Sequence, residues 1–265
     1  MPIDNGLWNQ CMARDTQNGY NQNLRLLACL SGQEHGSGEL LTYTQQVAFF
    51  LQGKLEWQVS ERNSLAEVIN CVPQRHDLLL LNEPKWHALT RPFPQTAASP
   101  SRIKPSVLIV RESRWPLRRL LLIMRGEATD EATIKWGLIL SKHSNCTVTL
   151  LVVRPPTLAP KDQFGLLKAN TISGRHLRAA LRRLAARQIN GVLKVSHGLP
   201  EEIVRQEVAG AAYDLIVLGS EPECRLFYWR LDSLLNPLLQ WTKQSILIAK
   251  PVISETVQKN HLVNL

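Results

Sequence analysis

The chain has 265 residues, 44% of them hydrophobic, and a formal net charge of +9. That length suits two domains of roughly 100–150 residues each, while the purest apolar run, Leu120 to Met124, is far shorter than the ~20 residues of a membrane-spanning helix, so no membrane span is expected. Residues 116–265 hold 20 Lys/Arg against 12 Asp/Glu and residues 1–115 hold 11 against 10, a lopsided charge that favours anionic partners only in a general way, because net charge governs solubility and non-specific attraction rather than a site.

Residues 1–22 are rich in Asn and Gln, carry no apolar leader and read as a loose arm. Together with the lack of a membrane-length apolar run they give the expectation of a soluble cytoplasmic protein. The five cysteines (Cys11, Cys29, Cys71, Cys146 and Cys224) are odd in number, widely spaced and free of any C-x-x-C. They read as buried thiols in a reducing compartment rather than as disulfides or zinc ligands.

From Leu24 to Leu30 an apolar run predicts a strand. It is followed by the loop from Ser31 to Gly38 and a helix from Glu39 to Leu51 with Leu40, Tyr43, Val47 and Phe50 on one face. Lys54 to Val59 reads as a strand, Leu65 to Val72 as a helix stopped by Pro73, and Asp77 to Leu81 as a third strand. Residues 84–106 carry Pro84, Pro92, Pro94, Pro100 and Pro105, which argues against a regular element over most of that length. Val107 to Val110 is a fourth strand.

The pattern then restarts. The strand Leu120 to Met124 leads into the loop from Arg125 to Asp130, a helix from Glu131 to about Lys142 and a strand from Thr147 to Val153. A longer connection covers 154–173, and a helix from Gly174 to Gln188 has Leu177, Leu181 and Leu184 in register. The strand Val192 to Ser196 precedes a helix opened by Pro200, with Glu201 and Glu202 suited to its positive end. The last stretch runs from the strand Asp214–Leu218 through Gly219-Ser220 and a helical segment Leu226–Trp241 to the strand Ser245–Ala249. In an open α/β sheet the loop after such a strand is where ligands sit.

Two parts of the chain echo one another. RLLACLSG near residue 25 matches RLLLIMRG near 119, RHDLLLLN matches AAYDLIVLG, and SVLIVRE at 106 matches SILIAKP at 245. Alternating strands and helices imply parallel sheets with right-handed crossovers. The expected architecture is therefore two tandem doubly wound α/β domains: a first, shortened copy over 23–113 and a second over 116–251, followed by a tail at 252–265.

Over nearly all of Arg118–Lys250 the chain resembles the universal stress protein (UspA-like) family. The resemblance rests on Met124-Arg-Gly-Glu127, Trp136-Gly137, Gly198-Leu-Pro-Glu-Glu-Ile203, Tyr213-Asp-Leu-Ile-Val-Leu-Gly219 and Ser245-Ile-Leu-Ile-Ala249, in that order and spacing. It implies a Rossmann-like, mostly parallel sheet of about five strands per domain. It also implies pairing through edge strands, either between the two halves of one chain or in a homodimer. Some members of the family bind ATP through a glycine loop after the fourth strand and an acidic residue at the end of the first. On this sequence that resemblance places the nucleotide or anion contacts at Arg125, Gly126, Val153, Gly219, Ser220 and Ser233. Pro222 and Asp232 fall where the family has glycines, and Arg125 falls on the acid.

A phosphate nest needs inward backbone N–H groups and glycines free to take positive φ. Pro222 has no N–H, and Asp232 adds a negative charge. The expectation is therefore a non-catalytic stress-response protein with a regulatory or binding role and no resident cofactor. Its alternatives are a sensor of ATP or another adenine nucleotide, or of an anion, and a binder of an apolar or lipid-like ligand through Phe227-Tyr228-Trp229. A protein partner of unknown kind is implied and DNA is not. The basic helix with Arg175, Arg178, Arg182, Arg183 and Arg187 has its leucines on the opposite face and reads as a solvated cover on the sheet. The loop around Gly32, Gly36 and Gly38 lacks a P-loop lysine and reads as a turn. His143, His176 and His197 share no ligand spacing and read as surface or cap residues.

Overall fold

The computed structural model describes residues 24–31, 38–60, 76–90, 105–112, 114–126, 128–142, 145–154, 163–220 and 231–250. The arm at 1–22, the turn at Gly32 and Gly36, the helix expected at Leu65–Val72, most of the proline-rich stretch, His143, Pro222, the aromatic triplet Phe227–Trp229 and the tail lie outside the described residues.

The elements alternate along the chain. In order they are β1 (Arg25–Ser31), α1 (Gly38–Phe50), β2 (Lys54–Ser60), β3 (Leu78–Asn82), α2 (Glu83–Thr90) and β4 (Ser106–Val110). There follow β5 (Arg119–Met124), α3 (Glu131–Ser141), β6 (Thr147–Arg154), α4 (Gln163–Lys168), α5 (Ile172–Ala185), β7 (Asn190–His197), α6 (Pro200–Gly210), β8 (Leu215–Gly219), α7 (Leu231–Trp241) and β9 (Ser245–Ala249). All nine described strands belong to one sheet in the order β2-β1-β3-β4-β9-β8-β5-β6-β7. Every neighbouring pair is parallel except β4 with β9, which is antiparallel with Leu108 opposite Leu247. Among the described residues the first part thus contributes four strands rather than about five, and the two parts share a sheet.

The strands are apolar on both sides because both sides are covered, as in other sheets of parallel strands. One layer holds Leu26, Leu80, Leu122, Leu150, Val217 and Leu247 under Tyr43 of α1, Trp136 of α3 and Leu177 of α5. The other holds Leu81, Ile109, Ile123, Val153, Leu218 and Ile248 under Trp86 of α2, Val204 of α6 and Leu238 of α7. Each layer runs without a break from the first part into the second. Gly137 lets α3 lie close on β5, since a Cβ there would stand 2.5 Å from Leu122 Cδ2.

Two short helices add to the elements expected from the sequence. A helix, α2, occupies the start of the proline-rich stretch. Pro84 sits in its first turn, where no helical N–H bond is required, and the Asn82 side chain caps it by accepting from Lys85 N at 3.0 Å. The connection at 154–173 likewise contains α4.

The sequence echo has an atomic counterpart. Asp77, one residue before β3, accepts a hydrogen bond from Arg25 N at 3.0 Å. Asp214, one residue before β8, accepts from Arg118 N at 2.7 Å and Arg119 N at 2.8 Å. At the β4–β9 seam, Trp136, the sixth residue of α3, donates through Nε1 to Ser106 Oγ at 2.8 Å. Tyr43, the sixth residue of α1, lies beside the Ser245 side chain. Ser106 and Ser245 each open their strand. Ser106 Oγ accepts from Lys250 N at 2.9 Å, and Ser245 Oγ accepts from Arg111 N at 3.1 Å.

Candidate functional site

In a doubly wound sheet the ligand crevice opens beyond the carboxyl ends of the strands where the strand order reverses. In the second part that point lies between β5 and β8, because the chain moves outward from β5 to β6 and β7 and then returns to β8 on the other side. Arg125 and Gly126 follow β5, Gly219 ends β8 and Ser220 follows it. The crevice therefore brings together four of the six residues expected to contact a ligand.

The remaining two are placed differently. Val153 is 1% exposed and its side chain belongs to the layer under α2, α6 and α7. The neighbouring Val152 is the one that faces Gly126, with Cγ1 3.2 Å from where a Gly126 Cβ would stand. Ser233 and Asp232 lie in the first turn of α7.

At the mouth of β5 the sequence signal was incomplete. Asp130 stands at the N-cap position of α3, yet its carboxylate makes no cap bond to that helix. Instead it turns back and accepts from Arg125 N at 3.0 Å and from Gly126 N at 2.7 Å. Asp130 is 4% exposed. The two amides that follow β5 are thus already engaged by an internal anion. Gly126 adopts φ +81°, a left-handed conformation that favours glycine, so the turn itself accounts for this residue.

Gly219 also has a packing role. A Cβ at this position would stand 2.8 Å from Thr133 Oγ1, so the glycine allows α3 to approach the end of β8. Thr133 is fully buried. Its hydroxyl and that of Thr129 are buried with no hydrogen-bond partner among the described residues. The Arg125 side chain is half-buried, with Nε and Nη1 shielded from solvent. Ser220 N is taken by Ala249 O at 2.8 Å. No sequence reading singled out Thr129, Asp130 or Thr133, and only Asp130 carried a local signal, its place at a helix start.

The corresponding point of the first part lies between β1 and β3. There β3 runs straight into α2, which Asn82 caps. One turn in, Trp86 is 1% exposed. Glu83 is bound by Arg111 Nε at 2.6 Å, and Arg111 also donates to the Thr242 carbonyl. Burial pushes the Cys29 thiol up to about 11, with Lys85 opposing the shift. Among the described residues this end of the first part carries a helix, a buried indole and an ion pair.

The arginines of α5 are mostly committed to the fold. Arg178 donates to the Leu167 and Ala169 carbonyls, Arg183 grips both oxygens of Glu131 at 2.7 and 2.9 Å, and Arg187 bonds the Arg183 carbonyl. Arg175 and Arg182 are exposed. His176 and His197 are half-buried rather than on the surface, and no group of metal-binding side chains occurs among the described residues. Lys250, just past β9, is 6% exposed, and burial lowers its ammonium to about 8. No helix among the described residues is long and apolar enough to cross a membrane.

Residues 116–250 match the sequence pattern of the universal stress protein family. Among solved structures, the chain is similar to a functionally unknown protein from Pseudomonas aeruginosa PAO1, at 14% identity, 88% of this chain, 85% of that chain and a TM-score of 0.50. It is also similar to universal stress protein UspA from Lactobacillus plantarum, at 13% identity, 52% of this chain, 100% of that chain and a TM-score of 0.39. A third similarity is to an Arabidopsis thaliana universal stress protein family member with AMP bound, at 15% identity, 52% of this chain, 95% of that chain and a TM-score of 0.35. No curated protein matches the chain.

Proposed function

The chain belongs to the universal stress protein family, and from that premise we propose that it works by binding rather than catalysis, as a cytoplasmic regulatory protein of the stress response whose nucleotide site has been closed. One observation carries this reading: the carboxylate of Asp130 occupies the Arg125 and Gly126 amides at the crevice. A triphosphate placed there would lose two donors and meet a buried negative charge. The glycine at 219 is explained by the approach of Thr133, and the sequence adds Pro222 and Asp232 where a phosphate loop would need glycines. The division into a first copy over 23–113 and a second over 116–251 belongs to the same reading. It is supported by the matched carboxylates of Asp77 and Asp214 and the matched serines of Ser106 and Ser245.

Titration calorimetry with ATP and magnesium tests the proposal. No heat of binding up to high micromolar nucleotide is expected, and micromolar affinity would overturn it. A second reading, a sensor of an adenine nucleotide or other anion, is favoured by the buried hydroxyls of Thr129 and Thr133, since buried polar groups are ordinarily satisfied. Mass spectrometry of the purified protein decides between the two, because a sensor carries nucleotide through purification.

A further inference from the structure

Between Asp162 and Glu201 the sequence holds seven Lys/Arg and neither Asp nor Glu. The span covers α4 and α5. Both helices lie on one side of the sheet, since Leu166 of α4 and Leu177 of α5 belong to the same buried layer. The acids that follow, Glu201 and Glu202, open α6, which covers the opposite side. Glu131 of α3, on the near side, is gripped by Arg183.

The arginines of α5 divide into two sets. Arg178, Arg183 and Arg187 are half-buried and hold α5 to its neighbours. Arg175 and Arg182 are exposed, and the contact of Arg175 with the exposed Asn170 Oδ1 at 3.3 Å keeps it at the surface. Ile172, Ala179 and Ala186 are exposed as well. At intervals of three and four these five positions form one outward stripe along α5. Ile172, at its start, is 71% exposed. Phe164, on the far side of the turn that joins α4 to α5, is 56% exposed, and the exposed Lys168 lies one turn after it on the same face of α4. Large apolar side chains this far out in water, beside exposed charges that are all positive, fit a partner that is anionic at its surface and apolar beneath. A nucleic acid duplex would use the cations and leave Ile172 in water.

We propose that the outer face of α4 and α5 docks on an anionic lipid bilayer, with Lys168, Arg175 and Arg182 against the headgroups and Phe164 and Ile172 entering the boundary below them. Three cations and two apolar side chains make a reversible contact rather than an anchor, because binding strength grows with buried apolar area and with the attraction to anionic lipid. Each cation near such a surface raises the partition about fivefold. The contact is sensitive to salt, since exposed charges are screened over about 8 Å at physiological ionic strength.

The test mixes the full chain with vesicles of phosphatidylcholine, alone or with about 30% phosphatidylserine, and reads the bound fraction by flotation at low and at physiological salt. Docking predicts binding to the serine-containing vesicles alone, weakened by salt. Arg175→Gln with Arg182→Gln should lower the partition tenfold or more, and Phe164→Ser with Ile172→Ser should lower it several-fold on the same vesicles. All four side chains are exposed, so thermal unfolding of both variants should match that of the parent chain and separates lost docking from lost fold. Absence of binding to either vesicle overturns the proposal, and so does vesicle binding that ignores both pairs of substitutions, which comes from another surface. An apolar pair that changes nothing refutes the bilayer as partner. If short duplex DNA then binds and needs Arg175 and Arg182, the face belongs to nucleic acid instead.

Discussion

Replacing Lys250 by Met removes a charge from a place that resists it. The side chain is 6% exposed, and burial lowers its ammonium from the ordinary 10.5 to about 8. Below that value the folded protein must bury a cation that the unfolded chain leaves in water. At about 1.4 kcal/mol for each tenfold change in proton affinity, the cost near neutral pH is about 3 kcal/mol. Between about 8 and 10.5 the unfolded chain holds the proton and the folded one releases it, so stability rises with pH across that window. The Cys29 thiol, held up to about 11 against its ordinary 9.0, acts in the opposite direction above 9, so the rise is cleanest from 8 to 9. There it should amount to about 1 kcal/mol. Lys250→Met keeps the main-chain bonds to Ser106 and fills a similar volume. It should stabilise the protein by up to about 3 kcal/mol at neutral pH and flatten the rise. Urea unfolding of both proteins at a series of pH values reads this directly. A destabilised variant at neutral pH, or a slope that survives the substitution, refutes the reasoning.

Other outcomes follow from single contacts. Gly219→Ala forces a methyl to within 2.8 Å of Thr133 Oγ1 and should cost about 1–3 kcal/mol in thermal or urea unfolding; adding Thr133→Ala should recover most of it, and full additivity of the two would show that the contact is not the cause. Thr133→Val, which removes a buried hydroxyl lacking a partner among the described residues, should be neutral or stabilising by up to about 1 kcal/mol. Trp136→Phe loses the bond to Ser106 and leaves a gap beside the seam, for an expected loss of about 2–4 kcal/mol by chemical denaturation. Asp130→Ala frees the Arg125 and Gly126 amides and should destabilise the fold while raising affinity for ATP in calorimetry; lowered affinity would contradict the closed-site reading.

Much of the sheet is legible in the sequence because its strands are apolar on both faces and bounded by turn residues. Ser245–Ala249 is read to the residue, and the other strands to within one or two. What escapes is physically specific. α2 is hidden because Pro84 looks like a breaker, although proline is at home in a first turn. The bonds from the Arg125 and Gly126 amides to Asp130 are hidden because a carboxylate at a helix start has two uses, and only the path of the loop decides between them. Val153 illustrates a different limit. Resemblance points to it, but strand alternation gives its side chain to one layer and leaves Val152 facing Gly126. The seam itself pairs strands far apart in the chain, and nothing local announces that Tyr43 and Trp136 would find serines in the opposite part.

Because β4 and β9 are antiparallel while their neighbours are parallel, all described strands of the first part point against those of the second. The two reversal points, between β1 and β3 and between β8 and β5, therefore open on opposite rims of the sheet. They are four strand spacings apart, about 19 Å sideways. Whatever docks at one rim cannot touch what docks at the other. Between the two rims stand the paired strands of the seam and the two side-chain layers that run across it.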